Sequence, residues 1–332
     1  MLLYYREPEK REKRLNNSSI PLRWGEKRYY SLNYFLRQKY GQKVFKIPLN
    51  AGFTCPNRDG TIGQGGCLYS SPYGSGDYAG SPQASIHEQF VDIKSVMHRK
   101  WGKGLYIAYF QAFTNTYAPV DQLAQLYSQA MQEEGVVGLA IATRPDCLPD
   151  EVIKLLQEIS RQTNLWVELG LQTTHEATLQ DMNIGYTYQQ YKEALFRLNQ
   201  ANIEVVTHII LGLPGETRED MMVSARRLAA LPMQGMKIHM LHLMKVTGLE
   251  KLYRQKPFPL LTRDEYIELV IDILEITPPQ RVIHRLTGDS PRDALIAPEW
   301  TLYKWEVLNE IDRRLEERQT WQGRMYSKSP IE

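Results

Sequence analysis

The sequence is poor in cysteine and has no long apolar run. Only three of its 332 residues are cysteine, at positions 55, 67 and 147, which excludes the disulfide framework of small secreted proteins. No apolar run approaches the ~20 residues that a membrane-spanning helix requires. The first residues, MLLYYREPEKREKR, lack the apolar centre of a secretory signal. We therefore expect a cytoplasmic protein with no membrane partner.

Cys55 and Cys67 lie on one glycine-rich stretch, which reads CPNRDGTIGQGGCLYS. In a reducing compartment, two thiols held close together on such a loop indicate a metal or redox site. A zinc site would need third and fourth ligands, and no His or Cys close by in the sequence supplies them. The loop therefore predicts metal chemistry and disfavours zinc.

The positive charge is concentrated at the start of the chain. Residues 1–46 hold twelve Lys and Arg against four acids, a surplus of eight, although the whole chain carries only +2. Seven Tyr and Trp residues are interleaved with these charges. Basic side chains attract phosphate backbones and flat rings stack on bases, so the segment is either a nucleic-acid contact surface or a solvated basic arm.

Short apolar strands alternate with amphipathic helices along most of the chain. The pattern predicts strands at 44–49, 105–110, 137–142, 165–171, 203–211 and 236–243, and helices at 29–40, 82–100, 119–134, 149–163, 174–182, 187–201 and 217–231. This alternation favours parallel pairing with right-handed crossovers, either in a doubly wound α/β sheet or in a barrel. In both folds, functional side chains gather at the carboxyl ends of the strands.

Several segments carry a resemblance to a known family: NAGFTCPNRDG, GQGGCLYS, YIAYFQAFTNTYAP, IATRPDCLPD, WVELGLQT, HIILGLPGET, KIHMLHLMKVT and VIHRLTGDSPRDALIAPEW. They resemble the radical S-adenosylmethionine (SAM) proteins of the YhcC/YtqA type, which include the MnmL-like enzymes and are relatives of the Elongator catalytic subunit. The resemblance implies a partial (β/α)6 TIM-like barrel with N- and C-terminal extensions. We accordingly expect a basic arm and helix at 1–45, the radical SAM core at 46–280 and a C-terminal extension at 281–332.

The resemblance also implies a [4Fe–4S] cluster, SAM, and a small flavodoxin- or ferredoxin-like electron donor. The implied substrate is tRNA, in which 5-carboxymethylaminomethyl-uridine at the wobble position becomes 5-aminomethyl-uridine. Cys55 and Cys67 match two cluster ligands, and Tyr69 matches the residue that lies against the SAM adenine. Ser70 stands where the family has its third cysteine ligand, and Val246 stands where it usually has glycine.

The expected cofactor pocket draws on the strand ends. Side-chain chemistry there favours bonds to the methionine part and the ribose of SAM, and glycines let the backbone approach the adenine; the candidates are Gln111, Asn115, Arg144, Glu168, Gln172, Gly212 and Gly215. Arg144 could equally anchor its own loop, and the GLPGET turn could simply cap a helix. The catalytic residue is left open among Lys245, His284 and Asp289.

The serine at position 70 leaves three functional hypotheses. The chain is an active radical SAM enzyme that tolerates the hydroxyl, or the same fold with a deficient cluster, or a cluster-free RNA-binding protein. Thiolates are the usual ligands of iron–sulfur clusters, and an alkoxide forms far less readily near neutral pH.

The basic arm gives a first prediction. Replacing Lys10, Arg11, Lys13 and Arg14 together by Gln should weaken tRNA binding and flatten its salt dependence, by about one unit of the log–log slope for each phosphate that no longer meets a basic side chain. The measurement is tRNA affinity at several salt concentrations, with SAM binding as the unaffected control. An unchanged slope would mean that the arm is only solvated.

Overall fold

The computed structural model describes residues 22–74 and 76–327 of the chain. Seven parallel strands form one sheet, in which the strands stand side by side in the order in which they occur along the chain. They are β1 Val44–Leu49, β2 Leu105–Phe110, β3 Val136–Thr143, β4 Asn164–Gln172, β5 Glu204–Leu211, β6 Gly235–Met240 and, after the two-residue β7 Leu243–Met244, β8 Val282–Arg285. β7 pairs with β9 Leu295–Ala297 in a separate antiparallel pair.

Helices connect the strands. They are α1 Leu32–Tyr40, α2 Ile86–Trp101, α3 Val120–Gln132, α4 Asp150–Ser160, α5 Glu176–Asp181, α6 Tyr188–Gln200, α7 Arg218–Ala229, α8 Gly248–Gln255, α9 Arg263–Ile276 and α10 Lys304–Glu317. A sheet in strict chain order with helical crossovers is the partial, TIM-like α/β barrel that the resemblance implied, and this prediction is confirmed. None of the helices in the described ranges is both long and apolar enough to cross a membrane.

Local sequence signals set the helix ends. Four helices of the described ranges begin with a capping box. In each, the side chain of a Ser or Thr before the helix accepts from the backbone N–H of the third helical residue, and the side chain of that third residue accepts from the backbone N–H of the Ser or Thr. Thr217 begins α7 in this way, so the GLPGET segment does cap its helix. Gly41 ends α1 with a φ of 70°, a conformation that glycine adopts without strain.

The barrel interior has an apolar lower layer. Side chains alternate along each strand, and one set packs outward against the helices. In the inward set, Val44, Ile107 and Val206 form a cluster with Trp166 and with Leu36 of α1. Helix α1 therefore lies across the lower opening of the barrel, where it contacts both the first strand and the last.

The sequence expectations stopped one strand early. The short VIHR segment at 282–285 lies within the expected C-terminal extension, yet it pairs with β6 as the seventh strand. The strand expected at 236–243 ends at Met240, and helices α8, α9 and α10 were not predicted. The domain boundaries at 45/46 and 280/281 stay predictions. Residues 1–21 of the basic arm, which include Lys10, Arg11, Lys13 and Arg14, lie outside the described residues.

Gln322 joins the two ends of the described chain. It is completely buried and accepts from the Tyr30 N–H at 2.8 Å. Its amide donates to the carbonyls of Pro278 and Arg281, both at 2.8 Å. The segment before α1 is thereby fixed to the loop between α9 and β8.

A Gln322→Ala variant should lose about 3 kcal/mol of unfolding free energy, since it leaves buried backbone groups without partners at roughly 1–3 kcal/mol each. Chemical denaturation measures this loss. Gln189→Ala is the matched control, because Gln189 is exposed and its side-chain amide donates to Glu193 at 2.9 Å on the surface of α6. The effect of this substitution should stay within ~0.5 kcal/mol. Equal effects of the two substitutions would contradict the role given to Gln322.

Candidate active site

A cavity of about 1030 Å³ lies inside the barrel and opens at the carboxyl ends of the strands. Its volume is at the upper limit of the roughly 300–1,000 Å³ that ligand sites usually have. Ten of the predicted site residues line it: Cys55, Cys67, Tyr69, Ser70, Gln111, Arg144, Glu168, Gln172, His284 and Asp289.

The cysteine loop follows β1 and is held by Asn57. This side chain is almost fully buried, and its amide donates to the backbone carbonyls of Asn183 and Ile184. A Cβ at Gly63 would lie 2.3 Å from the Asn57 amide oxygen, so only glycine allows the loop this close. The Leu68 N–H completes the attachment by donating to the Met182 carbonyl at 3.0 Å.

N–H donors approach both sulfur atoms. Arg144 Nη1 lies 3.9 Å from Cys55 Sγ, and Asn57 Nδ2 lies 3.8 Å from Cys67 Sγ. Burial raises the pKa of the Cys67 thiol, whereas the Arg144 charge acts in the opposite direction. Donors and positive charge stabilise a thiolate over a thiol, which a metal-ligating cysteine requires.

Ser70 lies on the same turn as Cys67, whose carbonyl accepts from the Ser70 N–H at 3.0 Å. Cys147 is buried, burial raises the pKa of its thiol, and its sulfur lies 3.7 Å from Asp146 Oδ1. Within residues 22–74 and 76–327, no three His, Cys, Asp or Glu side chains are grouped to hold a metal ion. The loop thus offers two sulfurs and one hydroxyl, whereas thiolates are the usual ligands of an iron–sulfur cluster.

Arg144 is an anchor of the loop. Its Nε and Nη2 donate to Asp146 at 2.9 and 2.7 Å, and its Nη1 donates to the Ile184 carbonyl at 2.9 Å. The guanidinium also lies 4.8 Å above the Tyr186 ring. The fork expected to receive a SAM carboxylate is therefore already paired, and the alternative of a loop-anchoring ion pair accounts for its contacts.

Glu168 lies on the floor of the cavity between two lysines. Its Oε1 accepts from Lys46 and its Oε2 accepts from Lys237. Trp166 Nε1 and His208 Nε2 also bond the carboxylate, at 3.1 and 3.0 Å. Burial alone would raise the pKa of Glu168, but Lys237 and Lys46 hold it well below its usual value. Its expected bond to a ribose hydroxyl would compete with all four partners.

Imidazoles and a guanidinium form the rest of the floor. His208, Lys237 and Arg285 are register partners on β5, β6 and β8, so they share one level and one face. His239 and His284 also line the cavity, and each has a buried ring nitrogen with no partner among the described residues. Burial lowers the pKa of both imidazoles well below the usual value.

Tyr69, Gln111 and Gln172 lie higher on the cavity wall. Tyr69 packs beside the apolar cluster that contains Leu241, and burial raises the pKa of its phenol. Gln172 ends β4 after a shift in strand register and has a φ of 74°, which is uncommon outside glycine. These three side chains remain candidates for SAM contacts.

Four predicted residues do not line the cavity. The Asn115 amide donates to the carbonyls of Phe110 and Ala142, at 3.1 and 3.0 Å, which is a structural use. Lys245 is outside the cavity and donates to the Asp293 carbonyl at 2.6 Å. The remaining two are Gly212 and Gly215, which follow β5 with φ of 87° and 86°.

Two of the three candidate catalytic residues do line the cavity. His284 packs edge-on against Trp166, with 5.4 Å between ring centroids. Asp289 pairs with Arg285, and Lys304 Nζ donates to it at 2.8 Å. Among these three candidates, placement favours His284 and Asp289 over Lys245.

Sequence reasoning missed Lys46, His208 and Lys237. A carboxylate inside an apolar strand, such as Glu168, is rare unless it has a partner or a function. The same argument applies to the lysines in VFKIPL and GMKIHM, which occupy inward positions of β1 and β6. The position of Val246 was noted, and its φ of 61° explains why glycine suits it: a β-branched residue is strained there.

Comparison with known proteins supports the resemblance. The family model of the radical SAM superfamily matches residues 59–228, and that of the radical SAM C-terminal domain matches residues 233–317. YtqA of Bacillus subtilis is 48% identical over 314 residues, covering 95% of this chain and 98% of that protein. YhcC of Escherichia coli is 37% identical over 283 residues, covering 85% and 90%.

Elongator proteins are more distant relatives. Elongator complex protein 3 of Mus musculus is 27% identical over 159 residues, which cover 47% of this chain and 28% of that protein. The structure of archaeal Methanocaldococcus infernus Elp3, truncated at its N-terminus, matches with a TM-score of 0.63 at 15% identity. The match covers 84% of this chain and 64% of that chain, and it shows a common fold.

Ser70→Cys should raise both the iron content after anaerobic reconstitution and the rate of reductive SAM cleavage, because a thiolate forms far more readily than an alkoxide. Iron analysis and quantification of 5′-deoxyadenosine measure the two effects. Ser81→Cys, on an exposed loop, controls for iron held by any added thiol. If the unaltered protein already holds about four irons and cleaves SAM equally fast, Ser70 is an adequate ligand.

Proposed function

The chain belongs to the radical SAM superfamily, and on this premise we propose that it modifies tRNA. The proposed reaction converts 5-carboxymethylaminomethyl-uridine at the wobble position to 5-aminomethyl-uridine. It breaks the bond between the amine nitrogen and the carboxymethyl carbon; SAM is the two-electron oxidant, water supplies an oxygen atom, and the two carbons leave as glyoxylate. The observation that carries the proposal is that the cysteine loop, a charged floor and a rim with aromatic rings border one cavity.

The cysteine loop and the upper wall suit the two cofactors. Cys55, Cys67 and Ser70 would hold the cluster, and Tyr69 and Gln111 lie beside them on the cavity wall. When bound, the reduced cluster and SAM supply a 5′-deoxyadenosyl radical that takes a hydrogen atom from carbon. The buried loop contacts of Asn57 keep the sulfur atoms in place and limit access of water from that side.

The rim of the cavity suits a single-stranded RNA loop. Tyr78 lines the cavity and is 54% exposed, and Trp305, next to the lining residue Lys304, is 67% exposed. Exposed rings stack on unpaired bases, which is how RNA loops are commonly recognised, and Trp305 also has the basic Lys304 beside it. A wobble nucleotide lies in such a loop, so it can enter the cavity while the rim holds its neighbours.

A second candidate function follows from the serine at position 70. If the hydroxyl fails to retain the cluster, the same cavity and rim would make an RNA-binding protein without radical chemistry. In the first case a small flavodoxin- or ferredoxin-like protein would supply the electron.

The test uses anaerobically reconstituted protein, dithionite, SAM and tRNA that carries 5-carboxymethylaminomethyl-uridine. Nucleoside mass spectrometry should show 5-aminomethyl-uridine, together with 5′-deoxyadenosine that depends on the tRNA. Cys55→Ala and Cys67→Ala should abolish both products while retaining tRNA binding. Tight tRNA binding without conversion, even in the Ser70→Cys variant, would favour the RNA-binding alternative.

A further inference from the structure

The cavity floor holds more positive charge than its carboxylates neutralise. Lys46 and Lys237 share the single carboxylate of Glu168, and each carboxylate oxygen accepts from one lysine. Trp166 and His208 occupy further acceptor positions of the same group. One carboxylate can balance only one of the two ammonium charges, so the floor has one cation in excess when both lysines are protonated.

The next ion pair toward the rim supplies no additional negative charge. Asp289 accepts from both Arg285 and Lys304, so this carboxylate is itself shared between two cations. His208 carries no charge near neutral pH, because burial lowers its pKa to about 4. Among the described residues, the basic side chains at the floor therefore outnumber the carboxylates.

Buried surplus charge is costly unless a ligand balances it. An ammonium group removed from water loses several kcal/mol of hydration free energy. The Tyr109 ring, 3.6 Å from Lys46 Nζ and 4.7 Å from Lys237 Nζ, restores part of it, and a further anion would restore more. Burial lowers the pKa of Lys46 and of Lys237, the Glu168 carboxylate only partly opposes it, and Arg285 adds to the lowering. A second anion next to the lysines would stabilise both in their charged form.

We propose that the cavity floor binds the carboxylate of the substrate, the one at the end of the carboxymethyl group on the wobble uridine. The inference rests on the proposed function and adds a recognition site to it. Lys46 can meet a ligand because 20% of its side chain is exposed, compared with 7% for Lys237. An ammonium has three donors, and a carboxylate can accept from both lysines at once.

The depth of the floor selects a carboxylate over a backbone phosphate. Lys46 and Lys237 are each the third residue of a six-residue strand, so they lie below the mouth of the barrel. A carboxylate on a short side chain can reach this level when its nucleotide enters the cavity. Phosphates of the RNA backbone would stay at the rim, near Lys304 and Trp305.

The same charge would reject the product. Conversion removes the whole carboxymethyl group, carboxylate included, and leaves a primary aminomethyl group. The amine nitrogen is cationic near neutral pH before and after the reaction, but only the substrate also carries a carboxylate that can pair with Lys46 and Lys237. The product would therefore meet the floor as an uncompensated cation, which disfavours its binding.

The test compares two RNA hairpins that differ only at the wobble position, one with 5-carboxymethylaminomethyl-uridine and one with 5-aminomethyl-uridine. Affinities are measured with reconstituted, unreduced protein, so that no turnover occurs. The unaltered protein should prefer the carboxylate hairpin by about tenfold or more. Lys46→Gln should remove most of this preference, and Lys46→Arg should keep it in part.

Lys43→Gln is the matched control, because it removes the same charge just before β1. Lys43 does not line the cavity and bonds Asn33 Oδ1 at 2.7 Å. It should leave the preference unchanged. Circular dichroism and iron content verify that each variant is folded, and the Lys46→Arg variant still tests the proposal if Lys46→Gln is unstable.

Two results would overturn the inference. In the first, the unaltered protein does not distinguish the two hairpins. In the second, Lys46→Gln leaves the preference intact, including the case in which it weakens the binding of both hairpins equally, as removal of a phosphate-binding charge would. The conversion assay separates this inference from the proposed function. If the protein converts the tRNA but does not distinguish the hairpins, the proposed reaction stands and the carboxylate site is wrong. If it distinguishes the hairpins but does not convert the tRNA, the carboxylate site stands and the proposed reaction is wrong.

Discussion

One buried carboxylate organises the barrel interior: Glu168, which lies between lysines of two other strands. Barrels of this general shape are usually filled by layers of branched apolar side chains. The lower layer here follows that rule and α1 lies across it. The layer above is charged, and charged groups need polar partners that apolar packing cannot supply. Because Lys46, Glu168 and Lys237 belong to β1, β4 and β6, which are not neighbours, the triad also draws three separate walls of the barrel together.

The residues at the mouth of the barrel are positioned by the strands of the same sheet that carries the charged residues of the floor. Cys55 follows β1 by a few residues, and Arg144 follows β3, so the Arg144 guanidinium reaches the cysteine loop from a different wall. Asn57 fixes the loop to the segment between α5 and α6, and Arg144 bonds the same segment. The sulfur atoms are thus held by short-range contacts at the mouth, while the charged groups lie deeper, within the strands. A cofactor bound at the mouth and a substrate group on the floor would share one cavity.

Much of the fold could be predicted, because its signals are local. The predicted bounds of β1 and β2 match the structure, because these strands end where the apolar runs end. The predicted bounds of the other strands mostly differ from the structure by one residue at an end. β8 could not be predicted from the sequence, because the four residues VIHR are too few to show the alternation of apolar and polar side chains that marks a strand. Arg144 was visible as a charged strand-end residue, but its pairing with Asp146 depends on side-chain geometry. The lysine pair depends on strands far apart in sequence, so only the fold shows that Lys46 and Lys237 meet at Glu168.

The most direct test of this account is an anaerobic crystal structure of the reconstituted protein with SAM and the hairpin that carries 5-carboxymethylaminomethyl-uridine, with iron located by anomalous scattering. We expect iron at Cys55 and Cys67 with Ser70 beside it, SAM against Tyr69, and the substrate carboxylate next to Lys46. Iron at any other site, or a modified uridine that remains outside the barrel, would contradict the account.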